Sequence, residues 1–118
     1  RFALSREVHR ELGGPIYSAP DTHWWVASAR LGEVTGFGSL RITGTAAWVD
    51  YSYVLADRRG RGVHGLLADA RDAWAATHHP DLPHRVMTRR DRWHHYVDRG
   101  WSVASERGAW VHGIRVRP

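Results

Sequence analysis

The sequence predicts one mixed α/β (α+β) domain in which a mostly antiparallel β-sheet is flanked by helices. The chain has 118 residues, enough for one hydrophobic core, and 42% of them are hydrophobic, including seven tryptophans. The hydrophobic pattern changes from a period of two before residues 56–62 to a period of 3.6 after them, which indicates a strand, a turn and a helix. We therefore expect residues 1–118 to form a single domain.

The segment with a period of two is Ala47–Leu55, which we predict to be one continuous strand. Trp48 and Val54 keep the second face of this strand apolar, which is typical of a central strand covered on both sides. Strict alternation would place on the first face Ala47, Val49, Tyr51, Tyr53 and Leu55.

The segment with a period of 3.6 begins at Val63 and is predicted to end around His78–Pro80, because proline disfavours helical geometry in the residue before it. Spacings of three and four residues predict a buried stripe made of Val63, Leu66, Leu67, Ala70 and Trp74. The predicted solvent side carries Arg71, Asp72 and Ala75.

The remaining elements follow from shorter patterns. Before the central strand we predict an amphipathic helix at Arg1–Leu12 and strands at His23–Ala29 and Glu33–Ile42. After the long helix we predict a strand at Arg85–Thr88, a helix from Asp91 as its cap to Asp98, and a hairpin of 101–105 with 109–116. Gly36 and Gly38 share one face of their strand, which predicts close approach of another backbone or a ligand, or else a bulge.

The turn before the long helix carries Gly60 and Gly62 among Arg58, Arg59 and Arg61. A helix start presents unpaired N–H groups and a partial positive charge, and glycines let that backbone approach a ligand closely. The turn therefore suits an anion, most naturally a diphosphate. A solvated basic turn with no ligand is the alternative reading.

Two motifs resemble those of the GNAT superfamily of acyl-CoA-dependent N-acyltransferases. Residues 53–63 resemble the family's Arg/Gln-x-x-Gly-x-Gly/Ala pattern between its fourth strand and the following helix. Residues 96–101 resemble its Tyr-x-x-x-Gly-Phe pattern, with Trp101 in place of phenylalanine. His64 stands where the family usually has glycine or alanine.

The resemblance implies a sheet splayed between its fourth and fifth strands, with the pantetheine arm of acetyl-CoA in the gap. Backbone groups of Val54 and Leu55 would then pair with the arm, and no metal is expected. The amides that would hold the diphosphate are those of Arg59, Gly60, Arg61, Gly62, Val63 and His64. The family's opening strand is not visible in the sequence, and the chain begins without methionine, so we expect a truncated N-terminus.

Arg89 stands seven residues before Tyr96, where the family usually has an asparagine near the cofactor. We assign it to cofactor binding. An arginine at this position could reach either a phosphate or an acidic acceptor.

The implied chemistry is direct attack of an amine on the thioester, which requires an acid and a base. Tyr96 matches the family's general acid, and a phenol with a pKa of about 10 suits protonation of the departing thiolate. A tyrosine that only packs at a helix end is the alternative. We assign the base to Asp50, although a carboxylate bonded to an arginine would fit the sequence as well. Other candidates for the base are Ser52, Tyr51, His23 and His94.

The leading function is therefore acetyl transfer to a primary amine of a small molecule or peptide. All seventeen basic residues are arginine and the formal charge is +5, which leaves open a GNAT enzyme acting on nucleic acid, such as aminoacyl-tRNA or a phage DNA base. His64 and Arg89 leave open a degenerate GNAT domain that binds CoA or a partner without catalysis.

Neither a membrane-spanning segment nor a signal peptide is visible in the sequence, so we expect a cytoplasmic protein without a membrane partner. The chain has no cysteine, which excludes disulfides, thiolate metal sites and a cysteine nucleophile. A missing first strand would leave a sheet edge that a second subunit could cover, so a homodimer is left open.

Overall fold

The structure is a computed structural model that describes residues 21–30, 33–60 and 62–116, without the side chains of residues 29, 30, 33 and 58. The predicted helix over Arg1–Leu12 and residue Arg61 lie outside this part. The strands are β1 (Thr22–Arg30), β2 (Glu33–Ile42), β3 (Ala47–Val49), β4 (Ser52–Val54), β5 (His84–Arg89), β6 (Ser102–Arg107) and β7 (Trp110–Arg115). The helices are α1 (Val63–His78) and α2 (His94–Val97), with short 3-10 turns at Ala56–Arg58 and Arg90–Arg92. Neither α1 nor α2 is long and apolar enough to cross a membrane.

The described strands form one sheet in the order β1-β2-β3-β5-β7-β6, with β4 also paired to β2. All pairs are antiparallel except β3 with β5, which run parallel. A parallel pair needs a crossover connection, and α1 supplies it between β4 and β5. The predicted mixed, mostly antiparallel fold is confirmed.

The predicted continuous strand over 47–55 is wrong, because the chain breaks at Asp50 and Tyr51. On β2, Arg41 lies opposite Trp48 and Gly38 lies opposite Ser52. Arg41 and Gly38 are three residues apart, but Trp48 and Ser52 are four apart, so the segment from Trp48 to Ser52 has one extra residue. The extra residue is a bulge, and a one-residue shift turns all later side chains to the other face.

The bulge is stabilised by Ser39, whose hydroxyl accepts a hydrogen bond from the Tyr51 N–H at 3.0 Å. The Tyr51 carbonyl in turn accepts one from the Ser39 N–H at 2.9 Å. Ser39 is completely buried, so these bonds satisfy polar groups that water cannot reach.

The sheet is splayed where this bulge lies. β3 pairs with β5 only as far as Val49 and Val86, and β4 pairs with β2 but not with β5. The gap between β4 and β5 is the cleft that the fold was expected to contain.

Two hydrophobic clusters lie on opposite faces of the sheet, because Leu40 and Phe37 on β2 differ by an odd number of residues. The Leu40 cluster packs against α1 and α2 and includes Val49, Val86, Ala75 and Tyr96. The other cluster joins Phe37 and Tyr53, with the partly buried Trp24, Tyr51 and Leu55 packed against it. Contrary to the prediction, Tyr51, Tyr53 and Leu55 therefore lie on the face opposite Ala47 and Val49.

The predicted buried stripe of α1 is correct at Leu67 and at the partly buried Trp74, and wrong at Leu66, which is 66% exposed. The buried residues are Leu67, Ala68, Arg71 and Ala75, although Arg71 and Ala75 were predicted for the solvent side. The missing side chain of Gly38 makes room for Arg71, because a Cβ on Gly38 would lie 3.2 Å from Arg71 Nη1. An arginine stem can pack in a core, and a hydrophobicity pattern cannot anticipate that.

Gly36 confirms the predicted close approach of another backbone, since a Cβ there would lie 2.7 Å from the Tyr53 carbonyl oxygen. The prediction that Asp91 caps a helix is wrong. Arg90–Arg92 form a 3-10 turn, and α2 begins after Trp93 without a side-chain cap.

A buried ionic network joins α1 to the last strand. Asp72 accepts hydrogen bonds from Arg115 at 2.5 Å and from Arg99 at 2.9 Å, and Arg115 also bonds His84 Nδ1 at 2.9 Å. Burial raises the pKa of Asp72, but the bonds from both arginines outweigh that effect and hold the pKa below its ordinary value. Asp72 therefore stays ionised and compensates the charge of the buried Arg115.

We expect Asp72→Asn to lower the free energy of unfolding by about 3 kcal/mol, because Arg115 would be left buried without its counter-charge. Asp69→Asn is the matched control, since Asp69 is exposed and contacts Arg99 at the surface. That change should cost less than about 1 kcal/mol. Urea unfolding of both variants at pH 7 tests the difference, and equal losses would contradict it.

Candidate functional site

The cleft between β4 and β5 has a volume of about 880 Å³, within the range of small-ligand sites. The turn before α1 closes one side of it and α2 another. It is lined by most of the residues predicted for the site, namely Asp50, Val54, Arg59, Gly60, Gly62, Val63, His64, Arg89 and Tyr96. Leu55 does not line it.

The glycine turn has the geometry that an anion site needs. Gly60 and Gly62 have φ angles of 78° and 80°, a region that favours glycine. A Cβ at either position would meet no described atom within 4 Å, so the space in front of both is open. Gly62 caps α1 without a side-chain hydrogen bond, which leaves the first-turn N–H groups free of a side-chain cap.

Arg59 lies against the strand that leads into the turn. Its Nε donates to the Val54 carbonyl oxygen at 2.9 Å, and its guanidinium lies 5.5 Å from the centre of the Tyr53 ring. The Leu55 N–H donates to the Thr35 carbonyl at 2.8 Å. One backbone group each of Val54 and Leu55 is thus already bonded within the protein.

His64 turns into the cleft. Its Nε2 is hydrogen-bonded to Ser52 Oγ at 3.0 Å, and its ring stacks on His95 with centres 4.1 Å apart. Burial, followed by the nearby His95 and Arg71, lowers the pKa of His64 to about 3. The ring is therefore neutral at physiological pH. The sequence did not reveal this placement, because Ser52 faces α1 only after the bulge.

Tyr96 is 5% exposed and packs between Trp93 and Trp101, with the His64 ring edge-on to its own at 6.4 Å. Burial raises the pKa of Tyr96, and the nearby Arg71 and Arg92 offset part of this effect. The phenol is therefore protonated at neutral pH.

Asp50 lines the cleft as an ion pair. Its two carboxylate oxygens accept hydrogen bonds from Arg41 Nε at 2.6 Å and Nη2 at 3.2 Å. Asp50 therefore matches the alternative given from the sequence, a carboxylate bonded to an arginine.

Of the other candidates for the base, Tyr51, Ser52 and His94 line the cleft and His23 does not. His23 contacts Trp74 of α1 at 4.3 Å between ring centres, and it does not line the cleft. Tyr51 stacks on Trp24 at 5.6 Å, with one side toward the cleft. Ser52 is bonded to His64, and His94 contacts His95 at 4.1 Å between ring centres.

Arg89 points away from α1 and α2. Val86 and Thr88 of β5 are buried beneath the helices, and alternation places Arg89 on the opposite face with Met87. Its partner across the β5–β7 ladder is Trp110. The only ion pair of Arg89 in the described part is a loose, exposed contact with Asp91 at 3.5 Å.

No group of three or more His, Asp or Glu side chains in residues 21–30, 33–60 and 62–116 is arranged to hold a metal ion. The titratable groups of the cleft are one paired carboxylate, three arginines, three histidines and tyrosines. Such a lining suits an anionic ligand.

Solved acetyltransferases share this fold. The chain is similar to PaiA N-acetyltransferase from Thermoplasma acidophilum, solved in complex with coenzyme A, with a TM-score of 0.73 and 17% identity over 81% of this chain and 61% of that one. It is similar to nourseothricin acetyltransferase, with a TM-score of 0.72 and 18% identity over 84% and 67% of the two chains. It is also similar to the ribosomal-protein-S18-alanine N-acetyltransferase of Escherichia coli, with a TM-score of 0.72 and 10% identity over 86% and 73%.

The chain therefore has the fold of the GNAT acetyltransferases, and it spans 61% of the length of the PaiA enzyme. No protein-family model and no curated protein sequence matches it.

The neutral, buried state of His64 predicts an acid-sensitive fold. Because the pKa of His64 is near 3 in the folded state and about 6.5 in the unfolded state, its contribution to stability is complete above pH 6.5 and declines as the pH falls toward 3. The loss from this residue should reach about 2 kcal/mol at pH 5.

Chemical unfolding of the wild type and of His64→Phe between pH 7.5 and 4.5 measures this contribution. Phenylalanine can stack on His95 but cannot titrate, so the variant should lose about 2 kcal/mol less between pH 7.5 and pH 5, and the difference should grow further by pH 4.5. Parallel pH profiles for the two proteins would contradict the assignment.

Proposed function

We propose that this protein is an N-acyltransferase that moves an acetyl group from acetyl-CoA to a primary amine. The observation that carries the proposal is the cleft at the splay of the sheet, which joins an open glycine turn at a helix start to a buried, protonated tyrosine. The GNAT fold of the chain supports the same reading.

The cofactor would lie with its diphosphate at the first turn of α1. There the helix dipole, the open space at Gly60 and Gly62, and the charge of Arg59 favour phosphate oxygens. The Val54 carbonyl becomes available to an amide of the pantetheine arm when Arg59 leaves it and turns to the diphosphate. We keep Val54, Leu55, Arg61, Val63 and His64 as proposed contacts of the cofactor through their backbone groups.

Acetyl-CoA supplies a thioester, whose C–S bond breaks as the amine nitrogen forms a C–N bond. Tyr96 gives its proton to the departing sulfur, and Trp93 and Trp101 hold its ring in place. Asp50 would receive the proton of the amine through water, and its two bonds from Arg41 fix the carboxylate at the cleft wall.

The cofactor site is tested by calorimetric titration of acetyl-CoA into the wild type and into Gly62→Glu. A glutamate should both crowd and repel the diphosphate, so we expect binding to weaken by at least about 100-fold. Gly108→Glu is the matched control. Gly108 also has a positive φ, 58°, and open space, but it lies in the β6–β7 turn away from the cleft.

Binding by the wild type and by Gly108→Glu, with loss in Gly62→Glu, is the expected pattern. A folded wild-type protein that does not bind acetyl-CoA would overturn the acyltransferase proposal. Equal binding by all three proteins would place the cofactor elsewhere.

The role of Tyr96 predicts that Tyr96→Phe lowers kcat by about 100-fold or more while the Kd for acetyl-CoA stays the same, because only the phenolic proton is removed. Acetyl transfer is followed by the release of free thiol from CoA. An unchanged kcat would reduce Tyr96 to a packing residue. Binding without turnover in the wild type, over a broad panel of amines, would favour a degenerate domain.

A further inference from the structure

The lining of the cleft identifies a class of acceptor, an inference that depends on the proposed acetyl transfer. We propose that the acceptor is an amine that also carries a carboxylate and an apolar group, as an apolar amino acid does. Arg89 binds the carboxylate, and the side chains of Met87 and Trp110 contact the apolar group.

Met87, Arg89 and Trp110 lie on the same face of the sheet. Val86 belongs to the cluster beneath α1 and α2, so Met87 and Arg89 project from the far face of β5. Trp110 is the ladder partner of Arg89, and residues directly opposite each other in an antiparallel pair share a face. All three side chains line the cleft, and they do so from the side away from the helices.

Two large apolar side chains beside Arg89 are exposed. Met87 is 50% exposed and Trp110 is 43% exposed, although both are large apolar side chains. Two such side chains beside a cleft form a surface that an apolar ligand group can cover.

Arg89 is separate from the charged side chains of the cleft that serve the cofactor or are already neutralised. Asp50 is the carboxylate that lines the cleft in the described part of the chain, and Arg41 neutralises it. Of the three arginines that line the cleft in the described part of the chain, Arg59 leads into the turn before α1, where it can serve the diphosphate, and Arg92 lies near Tyr96. Arg89, on the far face, remains for another anion.

The form of that anion follows from the donor. One planar guanidinium offers two parallel N–H groups, which match a single carboxylate. The exposed, loose contact between Arg89 and Asp91 costs little to replace. A cationic acceptor such as a polyamine would be repelled by the positive charge of Arg89 here and is disfavoured.

The test uses two products that differ by one carboxylate, N-acetyl-L-phenylalanine and N-acetyl-2-phenylethylamine. Each is titrated by calorimetry into the full chain saturated with CoA. We expect the carboxylate compound to bind at least about 10-fold more tightly, as one charge-assisted pair allows. In turnover, L-phenylalanine should likewise exceed 2-phenylethylamine and spermidine in kcat/KM.

Arg89→Gln should remove the preference for the carboxylate and leave the Kd for acetyl-CoA unchanged. Arg85→Gln is the matched control, because Arg85 lies on the same strand and face but bonds His112 and does not line the cleft. It should keep the preference. Trp110→Ala should weaken both compounds to a similar degree.

These outcomes distinguish the acceptor-class proposal from the proposed acetyl transfer on which it depends. Failure of the wild type to bind acetyl-CoA overturns both. Normal binding of acetyl-CoA with no preference for the carboxylate, or with neither product bound, overturns the acceptor class alone. If Arg89→Gln weakens acetyl-CoA instead, Arg89 belongs to the cofactor site, and the acceptor assignment is wrong.

Discussion

The bulge at Asp50 and Tyr51 opens the cleft and sets which side chains line it. It ends the parallel pairing of β3 with β5, so that β4 continues along β2 alone and a cleft opens in the middle of the sheet. It also exchanges the faces, which brings Ser52 under α1 and sends Tyr53 to the other cluster. The buried hydroxyl of Ser39 supplies the acceptor that this irregular backbone needs.

Several polar groups around this cleft are buried or half-buried. Arg71 lies over Gly38, Asp72 links α1 to Arg115, and His64 is held neutral against Ser52. Asp72 and His64 are each bonded to a residue of another element, so the position of α1 over the sheet is specified by polar contacts as well as by apolar area. A helix placed in this way can present its first turn to a ligand in a fixed orientation.

Much of the fold could be predicted from local patterns. The turn with Gly60 and Gly62, the long helix after it and the strand at Glu33–Ile42 all lie where the periodicity indicated. The faces of Tyr51 and Tyr53 could not be predicted, because alternation assumes an uninterrupted ladder. The buried side of α1 was misjudged for a related reason. Arg71 is polar by type, but the space over Gly38 exists only once β2 and α1 are packed.

Local patterns in the sequence account for the order of the elements, for the glycine turn before α1 and for the position of Tyr96 after it. These features depend on backbone sterics and on local periodicity, which neighbouring residues carry. Local patterns do not show that His64 turns inward, that Asp50 is paired with Arg41, or that Arg89 faces away from the helices. Those outcomes depend on strand register, and register is set by contacts between residues far apart in the chain.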